Sequence, residues 1–142
     1  MRRELRHFAG RVRGVLAIAL VVNGALLWVA ILVQAGVRRE FSQRRTDALA
    51  WHERNATVIG FGALGQLVLA PLAALAGRAR WPVIASLVIF LAIGNQITLG
   101  YDGDLAVHVP LGVAVFGAQT ATALSLVATR SGLARTGRHA PG

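Results

Sequence analysis

The stretch WPVIASLVIFLAIGNQITLGY, residues 81–101, decides the fold class of this chain. Its 21 residues contain no Asp, Glu, Lys or Arg. A helix of about 20 apolar residues crosses a hydrocarbon layer about 30 Å thick, and core helices of soluble domains seldom reach this length without a charge. The stretch therefore predicts a membrane-spanning helix.

Three more uncharged stretches of similar length lie around it. They cover 14–37, 55–77 and 105–129. The first follows Arg11 and Arg13, as in a signal peptide, but it exceeds the about 7–15 residues of a signal h-region, so we expect it to be retained. The pattern predicts one integral membrane domain over 1–142: an all-α bundle of four transmembrane helices in up-down-up-down order.

Composition supports a lipid environment. Of the 142 residues, 55% are hydrophobic, and the mean hydropathy is +0.57. A soluble domain of this size could not bury so many apolar side chains, because its surface is too large relative to its volume. The net charge of +9 comes from arginines at the ends and connections, which favours the lipid bilayer as partner and argues against nucleic acid. The absence of cysteine excludes disulfides, thiolate metal sites and covalent haem attachment.

The distribution of arginine predicts the orientation. Ten of the fifteen lie on the side of both termini and the 78–80 turn, and five lie on the other side. Because cytoplasmic loops carry the excess of basic residues, we expect both termini in the cytoplasm. The exclusive use of arginine with much Ala, Gly and Val is typical of GC-rich bacterial genomes, so the predicted location is the bacterial cytoplasmic membrane.

Short connections and prolines predict local features. The segments RAR at 78–80 and DGD at 102–104 predict tight turns, which make consecutive helices antiparallel neighbours. Pro82 fits the first turn of the third helix, and Pro71 predicts a kink in the second. Pro110 indicates that the fourth helix starts near Val109 or begins earlier with a distortion.

Polar side chains within the spans are all uncharged. Asn, Gln and Thr occur in them, and the simplest interpretation is interhelical hydrogen bonding worth about 0.6–2 kcal/mol per contact. Proton-coupled transporters generally need an intramembrane carboxylate. Since no span contains Asp or Glu, a small transporter is the disfavoured alternative.

His52 and His108 form a candidate cofactor site. Each lies near the same end of the predicted bundle, on the diagonal helices two and four, where two imidazoles are suited to ligate a haem iron. Arg54 is the candidate partner of a haem propionate, and Gly112 leaves room for a macrocycle. The alternative is that both histidines are hydrated interfacial residues. If the uncharged runs align, the two histidines differ in depth by about 9 Å, so haem ligation requires the second helix to extend outward or the runs to be staggered.

Short motifs carry a family resemblance. They are WHER at 51–54, Gly60, Gln66, NQITLG at 95–100 and VHVPLG at 107–112. The region resembles a family of small four-helix bacterial membrane proteins of unknown role. More distantly, it is similar to one four-helix half of haem A synthase, in which two histidines ligate haem. The resemblance implies that His52 and His108 are haem ligands. Leu49 stands where the catalytic half has a glutamate, so the resemblance does not extend to enzymatic activity.

Three hypotheses about function follow. The first is a structural or interaction subunit without a cofactor, the second is a b-type haem bundle for electron transfer, and the third is the disfavoured transporter. The sequence leaves open whether the chain also pairs with a second copy or with another membrane protein. It points to no catalytic residue and to no metal site beyond haem iron.

Overall fold

The computed structural model describes residues 2–36 and 45–136, and these form four helices. They are α1 (Arg2–Gly36), α2 (Arg45–Leu75), α3 (Trp81–Asp102) and α4 (Leu105–Thr136). Each contains a segment long and apolar enough to cross a membrane. The prediction of a four-helix membrane bundle is confirmed. The connection that holds Arg38, Arg39, Glu40 and Arg44 lies outside the described residues.

The helices form a square of neighbours. α1 packs against α2 and α4, and α3 packs against the same two helices. Within the described residues, α1–α3 and α2–α4 are therefore the diagonal pairs, as expected of an up-down-up-down bundle. The two diagonals matter for function because they determine which side chains meet across the centre.

Both short connections depend on a glycine. Gly77 has φ +84° and Gly103 has φ +73°, a left-handed conformation that glycine adopts without steric cost. After α2, the Arg78 and Gly77 amides donate to the Ala73 and Ala74 carbonyls, both at 3.0 Å, in a Schellman motif. The predicted tight turns are confirmed at both positions.

The α3–α4 turn also starts the last helix. The Asp104 side chain accepts from the Val107 amide at 3.3 Å, the geometry of an N-cap. α4 then begins at Leu105, so of the two predictions for Pro110 the earlier start is correct. Pro82 lies at the start of α3, as predicted, and Pro71 lies inside α2, where the kink stays a prediction.

Two apolar clusters fill the interior. One, nearer the two histidines, is formed by Leu27, Ile31, Ile59, Ala63, Ile89, Ile93 and Val115. The other, nearer the Arg78–Arg80 turn, is formed by Leu20, Ala70, Ala73 and Leu126. Large apolar side chains such as Phe61, Ile84 and Leu124 are exposed on the outside, where lipid solvates them.

An amide layer separates the two clusters. Gln66 and Gln119 are 1% and 0% exposed. Gln119 Nε2 donates to Gln66 Oε1 at 3.0 Å and to the Gly24 carbonyl at 2.9 Å, and Gln66 Nε2 donates back to Gln119 Oε1 at 3.3 Å. This pair joins α2 and α4 across the diagonal and ties both to α1. It confirms interhelical hydrogen bonding for these two amides.

Other polar side chains form hydrogen bonds either to an adjacent helix or to the backbone of their own helix. The Asn23 amide donates to the Gly62 carbonyl at 3.0 Å, and Trp28 Nε1 donates to Thr120 Oγ1 at 2.8 Å. Asn95, Thr98 and Thr122 instead donate to carbonyls of their own helix. A polar side chain with a local backbone acceptor needs no partner helix.

Replacing Gln119 by leucine tests the amide layer. The substitution removes both hydrogen bonds between Gln119 and the buried Gln66 amide, so we expect the free energy of unfolding to fall by about 1–3 kcal/mol. SDS titration of the detergent-solubilised protein, followed by far-UV circular dichroism, measures the loss. The double variant Gln66→Leu/Gln119→Leu should regain part of it. Asn95→Leu, which replaces an exposed amide, is the control. If Gln119→Leu and Asn95→Leu lower the free energy of unfolding equally, the prediction is contradicted.

Candidate functional site

The two histidines meet across the α2–α4 diagonal. Their ring centroids lie 6.4 Å apart with an interplanar angle of 50°. This closeness follows from the length of α2, which begins at Arg45, well before the uncharged run that starts at residue 55. The outward extension of the second helix that the predicted site requires is therefore present, and both histidines lie at one end of the bundle.

His108 is fixed by the backbone of α3. Its Nδ1 lies 2.9 Å from the Gln96 carbonyl oxygen. Because a carbonyl only accepts, Nδ1 must carry a proton, and in the neutral ring Nε2 then has the lone pair. In return, the Gln96 side-chain amide donates to the His108 carbonyl at 2.8 Å. These two reciprocal bonds hold the ring in one tautomer and one orientation.

Two glycines make this contact possible. A Cβ at Gly100 would lie 3.1 Å from His108 Cε1, and a Cβ at Gly112 would lie 2.7 Å from Gln96 Nε2. The second distance is shorter than real Cβ contacts allow. The predicted role of Gly112 was to leave room for a macrocycle, but in the structure the Gln96 amide occupies that space.

His52 is held by a side-chain network between α1 and α2. The Gln34 amide donates to His52 Nε2 at 3.0 Å and to the His52 carbonyl at 3.3 Å. The Asn55 amide donates to Gln34 Oε1 at 2.7 Å and to the Ala30 carbonyl at 2.8 Å. Since an amide nitrogen only donates, His52 Nε2 is the acceptor and its proton lies on Nδ1.

Arg54 is not brought to the histidine pair. It is exposed on α2, and two residues along a helix correspond to about 200° around its axis from His52. A role for Arg54 with a propionate stays a prediction. Leu49, the position that departs from the catalytic half of haem A synthase, lies on the α2 backbone, and its side chain is outside the described residues.

The site offers two neutral ring nitrogens and several amides. No group of three or more His, Cys, Asp or Glu side chains that could hold a metal ion occurs within 2–36 and 45–136. Two imidazoles are too few for a structural zinc site, which takes four protein ligands. They match haem iron, since the macrocycle supplies the remaining ligands.

Gln34 and Gln96 are among the amides that lie within the predicted spans, but the sequence does not connect them to the histidines. The spacing of the polar residues along α1 indicates in part which helix they contact. Gln34 and Asn23 are eleven residues apart, about 20° from a common helix face, and both donate to α2. Asn55 was missed, because it begins an uncharged run and nothing in the sequence distinguishes it from an interfacial amide.

A Gly112→Ala substitution tests the fixation of His108. The added methyl group must displace the Gln96 amide from the His108 carbonyl, a loss of about 1 kcal/mol. We expect a lower thermal midpoint of the detergent-solubilised protein. Gly117→Ala, which meets no atom within 4 Å, should leave the midpoint unchanged or raise it. Adding Gln96→Ala should relieve the clash and so rescue part of the loss in Gly112→Ala. If Gly112→Ala and Gly117→Ala melt alike, Gln96 is not held as described.

Comparison of the chain with protein-family models, curated proteins and solved structures finds no match. The resemblance to small four-helix membrane proteins and to half of haem A synthase therefore rests on the motifs alone. What the structure adds comes from geometry: a multi-pass helical bundle with two histidines facing each other at one end.

Proposed function

We propose that this protein is a b-type haem-binding membrane bundle in which His52 and His108 are the axial ligands. The observation that carries the proposal is the 6.4 Å distance between the ring centroids. Two metal–nitrogen bonds of about 2.0–2.1 Å, placed end to end between imidazole rings, require a centroid separation of about 6 Å. The diagonal pair already has this spacing, which supports ligation of one iron by both rings.

The surroundings of His108 support the proposal. A histidine that ligates a metal generally donates its other ring N–H to a carbonyl or carboxylate, which fixes the tautomer. His108 has this arrangement, because Nδ1 donates to the Gln96 carbonyl and Nε2 keeps the lone pair. A hydrated interfacial histidine has no need of such a clamp.

Room for a macrocycle has to come from Gln96. Its Oε1 is buried and has no hydrogen-bond partner within the described part of the chain, a cost of about 1–3 kcal/mol. Turning this side chain outward would relieve that cost, break its bond to the His108 carbonyl and open the space beside Gly112. A macrocycle between the rings would require at least this movement, and the group would supply one-electron chemistry when bound.

Haem reconstitution of the purified protein in mild detergent tests the proposal. We expect a Soret band, and we expect His52→Ala and His108→Ala each to weaken haem binding at least about tenfold, since loss of supporting contacts alone costs about 10–100-fold in metal affinity. His7→Ala, at an exposed position of α1, is the matched control. A native chain that stays colourless would refute haem binding and favour the structural or interaction subunit.

The location is part of the proposal. Ten arginines on one side against five on the other support a bacterial cytoplasmic membrane protein with both termini in the cytoplasm. The Arg78–Arg80 turn then faces the cytoplasm, and the histidine pair lies near the opposite surface. Electron exchange through the haem would take place on that opposite side.

Single cysteines test the orientation without interference, because the native chain has none. Asp102, the last residue of α3, and Ala79, in the α2–α3 turn, are exposed at opposite ends of the bundle. We expect a membrane-impermeant maleimide to label Asp102→Cys in intact cells and Ala79→Cys only after the membrane is opened. The reverse labelling pattern would mean that both termini lie outside the cytoplasm, and it would not bear on the haem proposal.

A further inference from the structure

The end of the bundle opposite the histidine pair carries positive charge that the protein does not balance. The segments that reach this end contain one acidic residue, Glu4, out of the six in the chain, and the other five lie within 40–53 and 102–104. Glu4 comes nine residues before Arg13 on α1, about 13.5 Å along the helix axis. The arginines at the border of the membrane on this side therefore have no carboxylate side chain close by in the sequence or on the helix.

Arg13 of α1 lies directly against the α2–α3 turn. A Cβ built at Gly77 would lie 3.3 Å from Arg13 Nη2, 3.5 Å from Cζ and 3.8 Å from Nε. The whole guanidinium group thus lies beside a residue without a side chain, next to Arg78 in the chain. The packing of α1 against α2 therefore brings an arginine of the first helix to the arginines of the turn, which are far from it in sequence.

The side chains of Arg13, Arg78 and Arg80 keep their donors free. None of the three forms a hydrogen bond or an ion pair within 2–36 and 45–136. Arg13 and Arg80 are exposed, and Arg78 is half-buried. Each guanidinium has five N–H donors and a charge that no pH of physiological interest removes. The cluster therefore offers charge and hydrogen bonds to an acceptor that comes from outside the protein.

The depth of the cluster indicates which acceptor this is. Arg13 directly precedes the uncharged run 14–37, and Arg78 directly follows the uncharged run 55–77. Trp81 begins α3 just after the cluster, and tryptophan is enriched at the level of the lipid headgroups. Phosphate groups of lipids are the acceptors present at this depth, and a planar guanidinium can bind a phosphate through two parallel N–H donors.

We propose that Arg13, Arg78 and Arg80 form a binding site for the headgroup of an anionic phospholipid. Charge complementarity favours a lipid of net negative charge, because a zwitterionic headgroup brings a cation that three arginines repel. Each basic residue near the membrane surface strengthens the binding of anionic lipid about fivefold. The site is at the opposite end of the bundle from His52 and His108, so the proposal does not depend on haem binding.

Lipid titration followed by native mass spectrometry tests the site. The full chain in a neutral detergent is titrated with phosphatidylglycerol, and separately with phosphatidylcholine of the same acyl chains. We expect the native chain to retain one phosphatidylglycerol, with at least about fivefold higher affinity than phosphatidylcholine. Arg13→Gln and Arg78→Gln should each lower the affinity for phosphatidylglycerol about fivefold.

Arg11→Gln is the matched control. It removes the same charge from the same end of the same helix, and Arg11 is exposed like Arg13. Two residues along a helix correspond to about 200° around its axis, so Arg11 points away from the side on which Arg13 meets Gly77. We expect Arg11→Gln to bind phosphatidylglycerol like the native chain. Far-UV circular dichroism of all the variants checks that their helix content is unchanged.

Three results would overturn the proposal. The first is equal affinity of the native chain for phosphatidylglycerol and phosphatidylcholine. The second is an equal loss of affinity in Arg11→Gln, Arg13→Gln and Arg78→Gln, which would show diffuse attraction to surface charge instead of a site. The third is displacement of the lipid by an equal concentration of inorganic phosphate, which would show a site for small anions. None of these results bears on the haem proposal, whose readout is the Soret band.

Discussion

The structure depends on the absence of water from the hydrocarbon layer. In lipid, each polar group must find its partner within the protein, because an unpaired one costs several kcal/mol. Four helices satisfy the backbone, and the side-chain amides have to be satisfied between or along helices. The reciprocal Gln66–Gln119 pair, completely enclosed between two apolar clusters, is the clearest result of this constraint. It fixes the distance between the diagonal helices on which the histidines lie.

The same constraint explains why the sequence revealed the architecture. Exclusion of charge from bilayer-length segments is a property of each segment alone, and it located four helices without knowledge of their contacts. The turns were equally local, since Gly77 and Gly103 are required by positive φ angles. Helix ends were harder to locate. α2 continues to Arg45 through charged residues, because beyond the apolar layer water solvates the charged side chains.

The candidate site was only partly visible in the sequence. The pairing of His52 with His108 followed from topology, which places the second and fourth helices on a diagonal. The contacts of Gln34 and Gln96 could not be found in that way, because they depend on helix rotation and on side-chain rotamers. The side-chain amide of a membrane-spanning helix can form its hydrogen bonds in several ways. Asn95 bonds to its own helix, while its neighbour Gln96 reaches α4, and no local pattern separates these two cases.

The order of the helices has a consequence for biogenesis. The Gln96–His108 contact joins residues only twelve positions apart, so the last hairpin can orient its imidazole as soon as it enters the membrane. His52 and its amide network belong to the first hairpin and are complete before that. The ring pair exists only after the second hairpin docks on the first. A cofactor seated between these rings would therefore be acquired only after the second hairpin has docked on the first.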